Sequence, residues 1–164
     1  MPSSVVTDPK RKVIIVKVLV AVQDRSKDLF DFIEQHKWPD DAQFHVVHVI
    51  ETVPGAVPGF EMNPDVIEAS VEYGHSVAEF ARSALARILG PDRQIEVSTP
   101  SGSPATAILD IADRWLADVI VTGTHQRGML GRLFLGSVSL AVVSQAQCSV
   151  FIVATGPSKR VKAA

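Results

Sequence analysis

The feature that most constrains the fold is a pair of runs, residues 13–22 and 117–122, made almost wholly of apolar, mainly β-branched residues. A strand that is apolar on both faces is typical of a parallel sheet covered by helices on either side. Three further segments, residues 44–50, 95–98 and 148–153, predict the remaining strands. The chain is therefore expected to build a sheet of five strands.

Helical patterns separate these strands. Ser26 is placed to cap the first helix, in which Leu29, Phe30 and Ile33 share a face. Pro64 starts a long second helix that Gly90-Pro91 stops. Its apolar face is predicted from residues that recur at helical spacing, namely Val66, Ile67, Ser70, Val71, Val77, Phe80, Ala81, Ala84, Leu85 and Ile88.

Two more helices follow strands three and four. Ser103 with Pro104 predicts a cap followed by a first-turn proline, and the helix behind it is expected to bury Ile108, Ile111, Ala112 and Trp115. Gly136 and Ser137 stand where the last helix begins. Strands alternating with helices imply right-handed crossovers. We therefore predict an α/β fold, a doubly wound, five-stranded, mainly parallel sheet with helices on both faces (Rossmann-like).

We expect this domain to cover residues 13–154, between a flexible tail of residues 1–12 and a basic tail of residues 155–164. A chain of 164 residues suits a single domain. The single cysteine, Cys148, cannot form an internal disulfide, which fits a reducing compartment, and is expected to be a buried small apolar residue.

Charge and hydropathy exclude several classes of function. The net charge is -2 with acidic and basic residues interspersed, which provides no basic groove for nucleic acid. Lys17 interrupts the first apolar run, so a secretory signal is disfavoured, and no run approaches the ~18 residues that a membrane span requires. We expect a cytoplasmic protein that binds neither nucleic acid nor membrane.

The stretch from Gly123 to Ser139 most resembles a binding site. It follows the fourth strand, contains several glycines, two arginines and serines, and leads into a helix. Backbone N–H groups freed by glycine, together with a helix N-terminus, form a natural cradle for phosphate. The alternative is an ordinary glycine-punctuated turn with a helix cap, because glycine-rich loops are common.

Two other loops should meet this stretch. In doubly wound sheets, ligands bind beyond the carboxyl ends of the strands, where the strand order reverses. The loop after strand one begins with Gln23-Asp24, and the segment after strand two follows His48-Val49. Residues 51–63 form either a plain connector or a loop that folds over a ligand. His45 and His48 are three apart on a strand, so their side chains point to opposite faces and are not expected to share a metal.

Several of these segments, taken in order, resemble the universal stress protein family over about residues 17–153. The matching pieces are Val18-Leu-Val-Ala-Val, His48-Val49, Gly102-Ser-Pro104-Ala-Thr-Ala-Ile108, Ala117-Asp-Val-Ile-Val-Thr-Gly-Thr-His125 and Leu133-Phe-Leu-Gly-Ser-Val-Ser139. The resemblance implies an adenine nucleotide alpha-hydrolase-like fold, binding of ATP, accompanied by Mg²⁺ for a triphosphate, and a homodimer. The dimer would form through the edge strand that runs from Cys148 to Val153.

The resemblance also implies a nucleotide-binding site, with no catalytic residue and no metal ligand assigned. Ser137 and the neighbouring N–H groups would hold phosphates, Arg127 would offset their charge, and Val49 would face adenine. The implied site residues are Ala21, Val22, Gln23, Asp24, Val49, Thr122, Gly123, Gln126, Arg127, Gly128, Gly136, Ser137, Val138 and Ser139.

The chain departs from the family pattern at two positions. ATP-binding members carry a glycine, two residues, a second glycine, nine residues, then glycine and serine or threonine. Gly123, Gly136 and Ser137 keep the outer positions, but Gln126 replaces the second glycine. Gln23 also aligns with the usual aspartate after strand one, with Asp24 one residue further on.

These departures leave three functions open. The first is an ATP-binding dimeric module of the stress response. The second is a dimeric interaction protein with a degenerate site that acts without nucleotide. The third is a slow ATPase or self-phosphorylating protein, with Ser137 or His125 as the acceptor. Catalysis has the least support, because the sequence places no activating base beside either acceptor.

Overall fold

The computed structural model describes residues 15–25, 27–52, 63–125 and 135–155. The elements in these ranges are, in chain order, β1 (Lys17–Ala21), α1 (Lys27–Gln35), β2 (Gln43–Val47), β3 (Ile50–Glu51), α2 (Pro64–Leu89), β4 (Ile95–Ser98), β5 (Ser101–Gly102), α3 (Pro104–Trp115), β6 (Val119–His125), α4 (Ser137–Gln145) and β7 (Ser149–Thr155).

Five of the strands form one parallel sheet in the order β4-β2-β1-β6-β7. The chain first builds outward from β1 to β2 and β4, then returns to the other side of β1 for β6 and β7. The strand order therefore reverses between β1 and β6. Ala21 pairs with Val47 on one side and Thr122 on the other, so the three central strands reach the same level at their carboxyl ends.

Helices cover both faces of this sheet. On one face, α1 and α2 pack through Ile33 and Val77 against Val18, Phe44 and other strand residues. On the other, Ile108 of α3 and Val142 of α4 pack against Leu19 and Ile120. Alternate residues of the apolar strands thus supply two separate cores. The predicted doubly wound α/β fold is confirmed.

The proline and glycine residues that were predicted to begin or end helices do so at most of these positions. Asn63 caps α2, accepting a hydrogen bond from the Asp65 N–H at 2.9 Å, and Pro64 is its first residue. Gly90 ends α2 with a φ of 99°, which favours glycine. Pro104 begins α3. Ser26, the predicted cap of α1, lies outside the described residues.

The predicted boundaries of three strands were wrong. β1 begins at Lys17, so residues 15 and 16 of the predicted run precede it, and β6 continues through Gly123 to His125 beyond the predicted end at residue 122. β7 begins and ends later than residues 148–153. The extension has a physical basis, because Gly123, Thr124 and His125 still pair with β7.

The second predicted strand, residues 44–50, is divided in the structure. β2 ends at Val47, and β3 pairs instead with β5 in a separate two-stranded parallel sheet. Gly102 of β5 has a φ of 139°, a conformation available to glycine. β3 follows β2 and β5 follows β4 in the chain, so this small sheet lies beyond the carboxyl ends of these two strands of the main sheet.

The apolar face predicted for α2 is wrong in its first turns. Val66 and Ile67 are 53% and 48% exposed, whereas Val77, Ala81 and Leu85 are buried. Only the second half of this helix of 26 residues lies in the core over the main sheet. Its first half stands over β3 and leaves apolar side chains at the surface.

Candidate functional site

A cavity of about 300 Å³ lies at the point where the strand order reverses. The carboxyl ends of β1 and β6 form its base through Ala21, Val22, Thr122 and Gly123. Its volume is at the lower end of the range typical of small-molecule sites, ~300–1,000 Å³. The sheet topology therefore places a ligand-sized space where doubly wound folds bind ligands.

The structure brings together eleven of the fourteen site residues predicted from the sequence. They line the cavity and are Ala21, Val22, Gln23, Asp24, Val49, Thr122, Gly123, Gly136, Ser137, Val138 and Ser139. The other three, Gln126, Arg127 and Gly128, lie outside the described residues. Segments distant in the sequence thus converge because three parallel strands end at the same edge.

The first turn of α4 forms one wall of the cavity. Gly136 is its N-cap, with a φ of -59°, and a methyl group at its Cα would meet no atom of the described residues within 4 Å. Neither its backbone conformation nor its packing among the described residues therefore requires glycine. The first hydrogen bond of the helix joins the Leu140 N–H to the Gly136 carbonyl oxygen at 2.9 Å. The N–H groups of Ser137, Val138 and Ser139 therefore have no acceptor within the helix. This wall offers backbone donors and the positive end of a helix dipole.

Ser139 has a structural task in addition to its position at the cavity. Its side chain is 3% exposed, and its hydroxyl donates to the Gly123 carbonyl oxygen at 3.1 Å. The Gly136 N–H also contacts Thr124 Oγ1 at 3.4 Å. These contacts hold the start of α4 against β6, so the hydroxyl proton of Ser139 is engaged within the protein.

Five lining residues were missed by the sequence analysis: Leu29, Val47, Glu51, Pro104 and Ile108. Pro104 and Ile108 belong to the first turns of α3, which face the cavity across from α4. The Gly102 to Ile108 motif was a signal for these two, although it was used only to identify the family resemblance. For Glu51 the signal was the alternative in which residues 51–63 fold over a ligand, but it singled out no residue, because β3 was not separated from β2.

The described lining carries an uneven charge. Asp24 and Glu51 contribute carboxylates, and no described lining residue is a lysine, arginine or histidine. The positive contribution in this part of the structure comes from the helix N-termini of α3 and α4. The cavity thus has an acceptor-rich side near Asp24 and Glu51 and a donor-rich side at α4.

The two histidines of the second strand region have separate environments. His45 lies under α3, where its Nε2 is 2.8 Å from Ser98 Oγ and its ring meets Trp115 edge to face. Burial lowers the pKa of His45, and the nearby Glu96 carboxylate opposes this shift. His48 instead donates from Nδ1 to the Val22 carbonyl oxygen at 3.0 Å. In the described part of the chain, no group of three or more histidine, cysteine or acidic residues is arranged to hold a metal.

Cys148 is half-buried beside the α3–α4 core rather than fully buried. Burial, followed by the negative charges of Asp113 and Asp118, raises the pKa of its thiol. A raised pKa disfavours the reactive thiolate, in keeping with a packing residue. Among the described helices, none has both the length and the apolar character needed to cross a membrane.

Comparison with known proteins identifies relatives over most of the chain. The model of the universal stress protein family matches residues 15–154. A universal stress protein of Thermus aquaticus is 38% identical over 114 residues, covering 68% of this chain and 77% of the relative. Universal stress protein A homolog 1 of Coxiella burnetii is 30% identical over 139 residues, covering 82% of this chain and 91% of the relative.

Solved structures share the fold at lower identity. A universal stress protein family member from Arabidopsis thaliana with AMP bound has a TM-score of 0.62 and 20% identity, with 87% of this chain and 93% of that chain covered. A universal stress protein in complex with cAMP has a TM-score of 0.53 and 25% identity, with 87% and 98% covered.

Proposed function

Because the chain belongs to the universal stress protein family, we propose that the cavity between β1, β6 and α4 binds an adenine nucleotide, with ATP as the leading candidate. The observation that carries the proposal is the convergence of eleven residues, chosen from sequence alone, on one ligand-sized cavity. Relatives of the same fold bind AMP and cAMP. An adenine nucleotide is therefore the ligand class that both the cavity and the family favour.

The proposed orientation follows from the chemistry of the two sides. Phosphates would lie at the first turn of α4, where Ser137 and the N–H groups of residues 137–139 supply donors. The ribose and base would lie toward Gln23, Asp24 and Val49, where the side-chain oxygens can accept from ribose hydroxyls. Asp24 stands one residue after the position at which the family has its aspartate.

Mg²⁺ would accompany a triphosphate, because this cation is commonly bound by phosphate oxygens, water and one or two carboxylates. Asp24 and Glu51 are the carboxylates that line the cavity. Arg127, which lies between β6 and α4 in the sequence, is the proposed counter-charge. We assign the site a binding role and no catalytic residue.

A direct test uses Gly136, where an added Cβ atom would meet no atom of the described residues within 4 Å. Gly136→Val should fold, because the φ of -59° suits any residue, but should obstruct phosphate approach. We expect affinity for ATP and AMP to fall at least tenfold, measured by calorimetric titration after removal of co-purified nucleotide.

Ser144→Val is the matched control, since Ser144 is an exposed residue of the same helix that does not line the cavity. It should bind nucleotide as the unmodified protein does. Unchanged affinity in Gly136→Val would contradict the phosphate cradle, and no binding by the unmodified protein at millimolar nucleotide would reject the proposed ligand class.

The second candidate is a dimeric interaction protein that works without nucleotide. Gln23 favours it, because this neutral amide lines the cavity at the position of the family's aspartate. Failure of the unmodified protein to bind any adenine nucleotide, together with formation of a stable dimer, would support this second function over the first.

We also propose that the chain forms a homodimer through β7. This strand is at one end of the sheet order and pairs with β6 on one side. Val150, Phe151 and Ile152 give it an apolar character, and an exposed apolar edge strand favours pairing with another strand. Pairing with the same strand of a second copy would cover that edge under a two-fold axis.

A further inference from the structure

Beside the nucleotide cavity lies a larger and more open groove of about 570 Å³ between the first half of α2 and the segment from His48 to Glu51. The two spaces share Gln23, Val49 and Glu51. Apolar contributions come from Ile50, Val66 and Tyr73, and the last two are 53% and 57% exposed. The exposed apolar part of α2 is thus one wall of a concave surface.

The groove is acidic among the described residues. Glu51 and Asp65 line opposite walls, and no described lining residue is a lysine or arginine. Glu68 and Glu72 follow Asp65 on the exposed surface of the same helix. An apolar floor with carboxylates at its rim is complementary to a peptide in which basic residues flank a small apolar one.

The chain carries such a sequence after β7. Residues 156–164 include Lys159, Arg160 and Lys162, with Val161 between the basic residues. We propose that this basic C-terminal segment binds in the acidic groove, within the same chain. The proposal does not depend on nucleotide binding, because it concerns the neighbouring surface.

The direction and the spacing of the strands allow the C-terminal segment to reach the groove. Because β7 is parallel to the other strands of its sheet, it ends at the same edge at which the groove opens. β7 and β2 are three strand spacings apart in the sheet order, which is about 15 Å. The seven residues that follow Thr155, up to Lys162, can span up to about 24 Å. Tethering at this distance gives the segment a high effective concentration at the groove.

Strand direction also argues against the other basic cluster of the chain, Lys10, Arg11 and Lys12. This cluster precedes β1, whose first residue, Lys17, lies at the opposite edge of the sheet. It therefore provides a control with the same number of charges and the opposite expected result.

The test compares amide resonances of the full-length protein with those of two charge-neutralised variants. Lys159→Gln/Arg160→Gln/Lys162→Gln should shift the amide signals of groove residues such as Glu51, Val66 and Tyr73. Lys10→Gln/Arg11→Gln/Lys12→Gln should leave those signals unchanged. Groove signals that do not respond to the C-terminal variant, or respond equally to both variants, would overturn the proposal. Groove shifts that depend on protein concentration would also overturn it, because they would assign the segment to a second copy.

A second measurement locates the contact on the groove side. A synthetic peptide of residues 156–164 is titrated into the C-terminal charge-neutralised protein and should shift the same groove signals. Glu51→Gln and Asp65→Asn should each weaken this binding by roughly two- to fivefold, the effect expected for one exposed ion pair. A peptide with glutamine at its three basic positions should not bind. Equal affinity in the groove variants, or peptide shifts confined to other surfaces, would contradict the assigned site.

Discussion

His45 shows how one buried side chain couples the fold to pH. The residue is 6% exposed, and its Nδ1 atom has no hydrogen-bond partner among the described residues. Burial holds the pKa of His45 below its ordinary value, so the folded state favours the neutral ring. In the unfolded chain, histidine has a pKa of about 6.5. As the pH falls below this value, the unfolded chain binds a proton more readily than the folded chain, and the free energy of unfolding decreases.

We therefore predict that part of the acid sensitivity of this protein comes from His45. The free energy of unfolding in urea should fall between pH 7 and pH 5, and this dependence should be smaller in His45→Phe, which cannot titrate. His75→Gln, at an exposed histidine, is the comparison variant against which the effect of His45→Phe is measured. An identical pH profile in His45→Phe would contradict the assignment.

At the scale of elements, the contact of α2 with β3 depends on a glycine. A methyl group at Gly74 would lie 2.7 Å from Ile50 Cγ1 and 3.1 Å from His48 Cδ2. Gly74 therefore allows the helix to approach the short strand and the segment before it. This approach sets the relative position of α2 and Glu51, and with it the shape of the groove between them.

Gly74→Ala should consequently destabilise the protein, although alanine within a helix normally stabilises it by ~1 kcal/mol relative to glycine. Overpacking costs ~1–3 kcal/mol, so we expect a net loss of about 1 kcal/mol in urea unfolding. Ser83→Ala, at an exposed position of the same helix, should be neutral or slightly stabilising. Stabilisation by Gly74→Ala would show that Ile50 and the helix adjust without cost.

At the scale of the whole molecule, the direction of the N–H groups of β7 gives a test of the proposed dimer. Ser149 N–H donates to Asp118 O at 3.2 Å, toward the strand β6. Because N–H groups alternate along a strand, that of Ile152 points to the outer edge. Ile152→Pro therefore removes a donor from the edge without removing one from the ladder with β6.

Ile152→Pro should shift the protein from dimer to monomer in light scattering at micromolar concentration while the fold is retained. Ile152→Ala is the matched control, because it shortens the side chain and keeps the N–H group. A monomeric unmodified protein would contradict the dimer directly, and an unchanged dimeric mass in Ile152→Pro would show that association uses another surface.

The class of fold and most of the described cavity wall follow from local patterns along the chain. The runs at residues 13–22 and 117–122 are almost wholly apolar, and the order of strands and helices then allows few arrangements other than a doubly wound parallel sheet. The carboxyl ends of parallel strands share one edge, so Asp24, Val49 and Gly136 were predicted to converge from their positions alone.

Which apolar residues are covered, and which residues surround the cavity, depends on packing between elements that are distant in the sequence. Val66 and Ile67 follow the same helical spacing as Val77 but are exposed. Periodicity identifies the apolar face of a helix, but it does not show how much of the helix lies over a sheet. Glu51 lies in the cavity wall because β3 pairs with β5 and not with the main sheet. This pairing joins residues that are distant in the sequence. Local patterns thus specify elements and their order, whereas the groove and the walls of the cavity arise from packing between elements.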